Sequence, residues 1–384
     1  MIVRRILSGT LCVVLCVSGA TVLPGCPSGK PQRTVSPRQA YVDARTVLLQ
    51  AADDESPVTR ANAIEALGET LGLQAGHIFT QALSDPNPAV RFSAAMVVGD
   101  LKYAGAKRKL TAMATDKESE PDRRVLCAVI YALYRLGDDR HAGQLGKLLF
   151  DKEEEVRANA AMAMGKMGEP SAIGPLRNLL SDEQKVKVKW QVRESLAMLG
   201  DKGSALTLQA CAREPDIQLR LAAISAMARV PGDLAPAALK ELLEKRNPPR
   251  VRVAAAGALA GLGHSDKAAY KLCLESLKDP ESVLRRLGDD TERITAGRIA
   301  SLRQLAAKSL GRMRHVEAVD VLHPQVVGRQ GPVRVAAAMS ILQLLSASPV
   351  RGAGGAEGSG AKEPQTWRPR GVGPAKLHTA GGKD

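Results

Sequence analysis

Aromatic side chains are nearly missing from this 384-residue chain: three Phe, five Tyr and two Trp make up 3% of it. A β-sandwich or barrel needs more aromatic and β-branched strand residues than that, so both are excluded. Cysteine is also scarce. Of six, Cys12, Cys16 and Cys26 lie near the amino terminus, leaving Cys127, Cys211 and Cys273, an odd number with no CxxC spacing. This excludes a disulfide framework and a thiolate zinc site, and the three remaining thiols, each inside an apolar helical pattern, are expected to be buried. No Gly-rich phosphate loop follows a strand pattern and no GxSxG elbow occurs. What is abundant is Ala, Leu, Val and Arg, with 45% hydrophobic residues against 24% charged. That is enough for a large core, and it suits closely packed helices.

Self-similarity governs the body of the chain. Val156-Arg157-Ala158-Asn159-Ala160-Ala161-Met162-Ala163-Met164-Gly165-Lys166-Met167-Gly168 has a near copy in Val251 to Gly263. With the residue after the Val as anchor, the series is Arg60, Arg91, Leu126, Arg157, Lys189, Arg220, Arg252, Arg303 and Arg334. Successive gaps are 31, 35, 31, 32, 31, 32, 51 and 31 residues. Apolar or small residues return three, six, seven and ten positions after each anchor, which places them on one helical face. Gly137, Gly168, Gly200 and Gly263 then stand where a left-handed cap would end the helix. A second helix follows, as in residues 172–180, and an acidic or Pro-containing turn such as Ser84 to Pro88 leads to the next anchor. Positions one, two and four after the anchor are largely apolar as well, so one pair cannot bury its own surface and the repeats must stack.

The Val-Arg-x-x-Ala-x-x-Ala-Leu-x-x-Leu-Gly pattern resembles the short HEAT-like repeat of the phycobilisome-lyase type, over about residues 40–346. The resemblance implies an all-α, right-handed α-solenoid of about nine helix pairs, with the second helix of each pair lining the concave surface. Between Glu275 and Ser301 the 51-residue gap holds about 20 extra residues, an insertion expected to form loops at one edge.

Residues 1–25 read as a secretory signal: Arg4 and Arg5, then an apolar run from Ile6 to Leu23. Leu23-Pro24-Gly25-Cys26 resembles a bacterial lipobox, Pro24 standing where such motifs prefer Ala or Ser. The resemblance implies cleavage before Cys26, diacylglycerol on its sulfur and a further acyl chain on its amine, hence a stable membrane anchor. Pro27 in place of the Asp retention signal favours an outer membrane where one exists. Ordinary signal peptidase cleavage after Ala20 and an uncleaved anchor are the competing readings. Residues 26–39 form a Pro/Ser/basic tether with a reach of roughly 45 Å, and residues 347–384, rich in Gly, Ala, Pro and Lys, read as a disordered tail.

Asp54, Asp85 and Asp151, each six residues before an anchor arginine, suit an inter-repeat ladder of charge-assisted hydrogen bonds. Nine residues after the anchor the side chain should face the inner surface, and that row reads Glu69, Asp100, Arg135, Lys166, Met198, Arg229, Gly261, Arg312, Gln343. It runs from acidic to basic, a polarity fit for an acidic partner, although basic residues also favour the last helical turn because they offset its dipole. Candidate contact residues are therefore Arg135, Lys166, Arg229 and Arg312, with Arg285, Arg286, Arg293 and Arg298 of the insertion. Lys185, Lys187, Lys189 and Arg193 surround Trp190, but Trp190 occupies a packing position held by Phe92 and Leu221 in other repeats, and nucleic acid is not an expected partner.

No catalytic residue, metal ligand or cofactor is assigned. HEAT-like di-iron hydroxylases carry His-Glu pairs on their repeats, and this chain has no His-Glu dipeptide, His315-Val316-Glu317 being the nearest approach. The expected role is a non-catalytic scaffold or adaptor for a protein partner at the cell envelope. The alternatives are an enzyme or enzyme subunit of the bilin-lyase or hydroxylase type, and a charge-driven binder of acidic polymer or lipid surface. A net charge of +12 remains after residues 1–25 (52 basic, 40 acidic) and favours anionic partners.

Overall fold

The computed structural model describes residues 35–346 except 117, 233, 288–292 and 329–330. These lie within the unit Met1–Ser348, and residues 349–384 lie outside the described residues. So do the signal, Cys26, most of the tether and the tail expected from residue 347 onward.

The described residues form 19 α-helices, a few short 3-10 turns and no strand. In chain order they are α1 (Pro37–Ala51), α2 (Pro57–Thr70), α3 (Gly76–Ala82), α4 (Pro88–Leu101), α5 (Lys107–Thr115), α6 (Arg123–Arg135), α7 (Ala142–Leu148) and α8 (Glu154–Met167). Then come α9 (Ile173–Asp182), α10 (Val186–Met198), α11 (Lys202–Cys211), α12 (Ile217–Met227), α13 (Leu234–Glu241), α14 (Pro249–Gly261) and α15 (Lys267–Lys278). The last four are α16 (Pro280–Leu287), α17 (Ala296–Arg312), α18 (Val319–Val327) and α19 (Gly331–Ser346).

Local chemistry sets these boundaries. Ser36, Ser56, Asn87, Asp122, Asp201, Asp216, Asp266 and Thr295 each accept a backbone N–H of the helix they precede, and Pro37, Pro57 and Pro88 open theirs. Because Ser36 caps a helix that opens on Pro37, residues 37–39, assigned to the tether, are helical. At the other end Gly137, Gly168, Gly200 and Gly263 take φ between 78° and 89°, the left-handed cap expected of them.

The architecture is an all-α solenoid. The anchor-bearing helices α2, α4, α6, α8, α10, α12, α14, α17 and α19 form an inner layer, its neighbours packed side by side except α10 and α12, and the helix preceding each lies outside it. The pairs are thus α1–α2, α3–α4 and so on, with the anchor helix second. Taking the anchor helix as first put the phase one helix out; with the phase corrected, the second helix of each pair lines the inside. Burial follows the layering: in α6, Val125 and every residue from Cys127 to Leu133 are buried, as a helix with neighbours on both flanks and a partner behind requires.

The repeats do not stop at an open end. α19 packs on α17 along one flank and on α1 and α2 along the other, so the array closes on itself. Asp43 of α1 pairs with His323 of α18 at 2.8 Å, and Gln343 of α19 donates to Glu69 of α2 at 3.2 Å. One apolar cluster runs from Ala40 to Leu196 and again from Val253 to Leu344, continuous through this seam. A second, from Ala197 to Leu259, covers the sector where α11 fills the space between α10 and α12.

The inter-repeat ladder is present and more specific than the six-residue spacing suggests. Arg60 donates to the carboxylate of Asp85 in the next repeat at 2.8 and 2.9 Å, and to the backbone carbonyls of Asp54 and Glu55 at its own turn. Arg91 repeats this with Glu120, Asp85 and Pro86, and Arg157 with Glu183, Asp151 and Lys152. Each acceptor carboxylate also receives a backbone N–H of its own turn, so every rung ties two repeats and shapes one loop. Where Leu126 replaces the anchor, Arg123, one turn earlier, bonds Asp151 instead. Further on, Arg220, Arg252 and Arg334 donate to the carbonyls of Ala212, Leu243 and Val326 on the outer layer.

Arg157 holds the buried carboxyl of Glu183 at a pKa of about 2 against an ordinary 4.5, with the N–H groups of Lys185 and Gln184 adding to the effect against the opposing cost of burial. A carboxyl depressed in the folded state contributes stability that is complete above pH 4.5 and lost as pH falls toward 2. Denaturation midpoints are therefore expected to drop steeply across that window, and Glu183→Gln to flatten the drop while costing about 1–3 kcal/mol at pH 7. Urea unfolding of both proteins between pH 2 and 7 measures it.

Candidate functional site

Each inner helix carries its anchor near its N-terminal end and the ninth-position residue near its C-terminal end, about 13 Å apart along the axis. The ladder therefore occupies one rim of the closed array and the charged row the other. Arg135, Lys166 and Arg312 sit in the last turns of α6, α8 and α17, and Arg229 lies just past α12.

Closure brings members of the row together across the central space. Lys166 donates to Asp100 at 2.8 Å although 66 residues separate them, and its ammonium lies 5.3 Å from the ring centre of Tyr131. The Tyr131 hydroxyl donates to the other oxygen of Asp100 at 2.5 Å, and burial together with that carboxylate pushes the phenol's pKa up. Arg229 bonds Glu194 of α10, a buried carboxylate. The side chain of Arg229 is 50% exposed yet flanked by several helices, and desolvation followed by the charge of Arg312 lowers its pKa. The acidic start of the row thus faces its basic middle, and the expected end-to-end polarity is folded onto itself.

Two basic members lack a carboxylate partner among the described residues, Arg135 and Arg312. The Nε of Arg135 is buried without a hydrogen-bond acceptor. Arg312 lines a cavity of about 350 Å³ with Glu69, Gly261, Gly311, Arg314 and Gln343. A second cavity of about 490 Å³ lies among Glu65, Met96, Asp100, Met162, Lys166 and Arg229, so side chains of α2, α4 and α8 and one from beyond α12 meet there.

The insertion arginines are not part of this rim. Arg298 stands at the start of α17 and Arg312 at its end, about 21 Å apart along the helix. Arg285 pairs with Glu281 at 2.5 Å and Arg286 with Glu275 at 2.7 Å, while Arg298 donates to the carbonyl of exposed Arg293 at 3.0 Å. The insertion is not all loop: it includes α16, which buries Val283 and Leu284 against its neighbours.

Sequence reasoning missed the residues five after each anchor. Glu65, Met96, Met162, Lys308 and Met339 line the cavities one turn below the ninth position, and Glu194 supplies a partner to it. Their four-residue offset from the row, one helical turn, was the available signal. Arg314 was missed as well, because it occupies the position marked by glycine in four other repeats.

The histidines are dispersed: His141 near Gln144, His315 with its ring tilted 37° to that of Tyr270 at 4.3 Å, and His323 on Asp43. Among the described residues no three His, Cys, Asp or Glu side chains gather in a metal-binding group. Cys127 and Cys273 are buried and free, their thiols pushed up to about 12 by burial, and Cys211 is partly buried. Trp190 packs against the second apolar cluster. Among the described residues no helix is long and apolar enough to cross a membrane.

HEAT repeats, as a family, match residues 45–126 and 118–197. Among the solved structures similar to the chain are the following two. One is human deoxyhypusine hydroxylase in complex with glycerol, with 19% identity over 72% of this chain and 98% of that one, and a TM-score of 0.34. The other is the complex of CpcE and CpcF of phycocyanin lyase from Nostoc sp. PCC7120, with 17% identity over 70% of this chain and all of that one, and a TM-score of 0.39. No curated protein matches the chain by sequence.

Proposed function

We propose that this protein is a non-catalytic scaffold, lipid-anchored through Cys26 at the cell envelope, that holds a protein partner on the charged rim of its closed repeat array. One observation carries the reading: guanidiniums of that rim, Arg135 and Arg312, have no carboxylate to satisfy them among the described residues. Arg312, unpaired beside a cavity, is poised to pair with an incoming anionic group, where its planar donors give orientation as well as charge. Anchoring would rest on the lipobox-like Leu23-Pro24-Gly25-Cys26.

The test is affinity purification after crosslinking in membranes, with eluates compared at low and high salt. A defined protein retained at high salt is the expected result, and joint reversal of Arg135, Lys166, Arg229 and Arg312 to Glu should abolish its capture. Retention undiminished by that reversal would overturn the rim as the contact surface. Recovery of lipid or acidic polymer alone, lost at high salt, would replace the scaffold with a charge-driven surface binder. Cys26→Ala is expected to move the protein from the membrane to the soluble fraction.

A further inference from the structure

The sector of the rim formed by α14 and α17 differs from the rest. On α14 the ninth position, held by Glu, Asp, Arg, Lys, Met or Gln in the other repeats, is glycine, Gly261, and Gly311 of α17 lines the same cavity. The backbone is bare there. A Cβ placed on Gly261 would meet only the Cδ of Arg312, at 3.8 Å, an ordinary contact. Beside this bare wall Arg312 and Arg314 line the same cavity of about 350 Å³, and neither has a carboxylate partner among the described residues. Glu69, the acidic side chain in the lining, accepts from Gln343 at 3.2 Å.

Arg314 stands at φ 58°, as Lys102 does at φ 50°, in the place that Gly137, Gly168, Gly200 and Gly263 take in other repeats. A left-handed conformation costs a non-glycine residue about 1 kcal/mol, so the chain carries a guanidinium here where glycine would be more stable.

We propose that the glycine-walled cavity at Arg312 and Arg314 is a subsite for the carboxylate side chain of an acidic polypeptide. The inference rests on the reading of the rim as the partner-binding surface and names the chemistry that surface selects. The cavity is larger than a glutamate side chain, and two guanidiniums offer the paired N–H donors that a carboxylate accepts.

The full chain titrated into a fluorescein-labelled hexaglutamate peptide, followed by anisotropy, provides the test. Arg312→Gln is expected to weaken binding about tenfold, and Arg314→Gly to weaken it while raising the melting temperature. Gly261→Glu is the decisive variant. It supplies an internal carboxylate beside Arg312 where space permits a side chain, and is expected to abolish peptide binding without loss of thermal stability. Binding by Gly261→Glu and Arg312→Gln equal to that of the unaltered protein would overturn the subsite. If Arg135→Glu with Lys166→Glu still abolished partner capture in that event, the rim reading would survive and only this assignment would fall. Displacement of the peptide by inorganic phosphate at equal concentration would also overturn it, in favour of a general oxyanion site.

Discussion

Spin labels on Val42→Cys and Val327→Cys, in a Cys211→Ser background, are expected to lie within about 20 Å of each other, since each is within a turn or so of the bonded Asp43–His323 pair. Nine stacked pairs in an open solenoid, eight spacings of about 8–10 Å, would hold the same two positions roughly 65–80 Å apart. The two outcomes do not overlap. Both sites are exposed, at 49% and 67%, so labelling does not disturb the seam, and Cys127 and Cys273 are too buried to react. The physical case for the short distance lies in α19. The terminal repeat of an open array needs a polar outer face, yet in α19 Val333, Leu344 and every residue from Val335 to Leu342 are buried. Only a helix with neighbours on both flanks can bury so much, and α1 and α2 are those neighbours. A distance near 70 Å would mean that this apolar surface is covered by something else, and would remove the central space from the functional argument.

The closure also separates what could be read along the chain from what could not. The anchor positions and the apolar offsets of three, six, seven and ten recur nine times and the glycine caps four times, all of them local, so periodicity alone exposes them. Even the ladder was half visible in Asp54, Asp85 and Asp151. The phase of the pairs was not, because an anchor helix touches the helix before it and the helix after it, and sequence does not say which contact is larger. Closure depends on the sum of small rotations between nine pairs, each fixed by side-chain size at the interface. A repeat motif shows that rotation exists and not its total. For the same reason the pairing of Asp100 with Lys166 could not be foreseen: two residues of one row, two repeats apart, meet only if the row curves inward. The exchange of Leu126 for Arg123 shows another limit, since a guanidinium can reach the same carboxylate from one turn earlier. The candidate site was legible as a row of positions and illegible as a constellation.

Tight curvature has a packing requirement, and it yields the largest expected change in stability. Gly165→Leu should cost 3 kcal/mol or more, on the order of severe overpacking, and Gly165→Ala about 1–3 kcal/mol. At Gly165 an added Cβ would come 2.6 Å from the Cβ of Ser195 and 2.8 Å from its Cα, so the backbones of α8 and α10 would have to part. The same device recurs where Gly257 meets Ser309 and Gly311 meets Ser340, the serines donating to Val253 and Ala307 at 2.9 Å across the helix boundary. Small residues let the inner helices approach closely, while the outer helices spread, and that difference bends the array. Gly146→Ala in α7 provides the opposing control: nothing lies within 4 Å of its Cβ, so the gain in helix propensity should raise stability by about 0.5–1 kcal/mol. Chemical denaturation of the two alanine variants should therefore shift in opposite directions for the same change in composition. Equal shifts would sink the idea that backbone contact between inner helices sets the curvature. A destabilised Gly165→Ala that also lengthens the Val42–Val327 label distance would tie the packing directly to the closure.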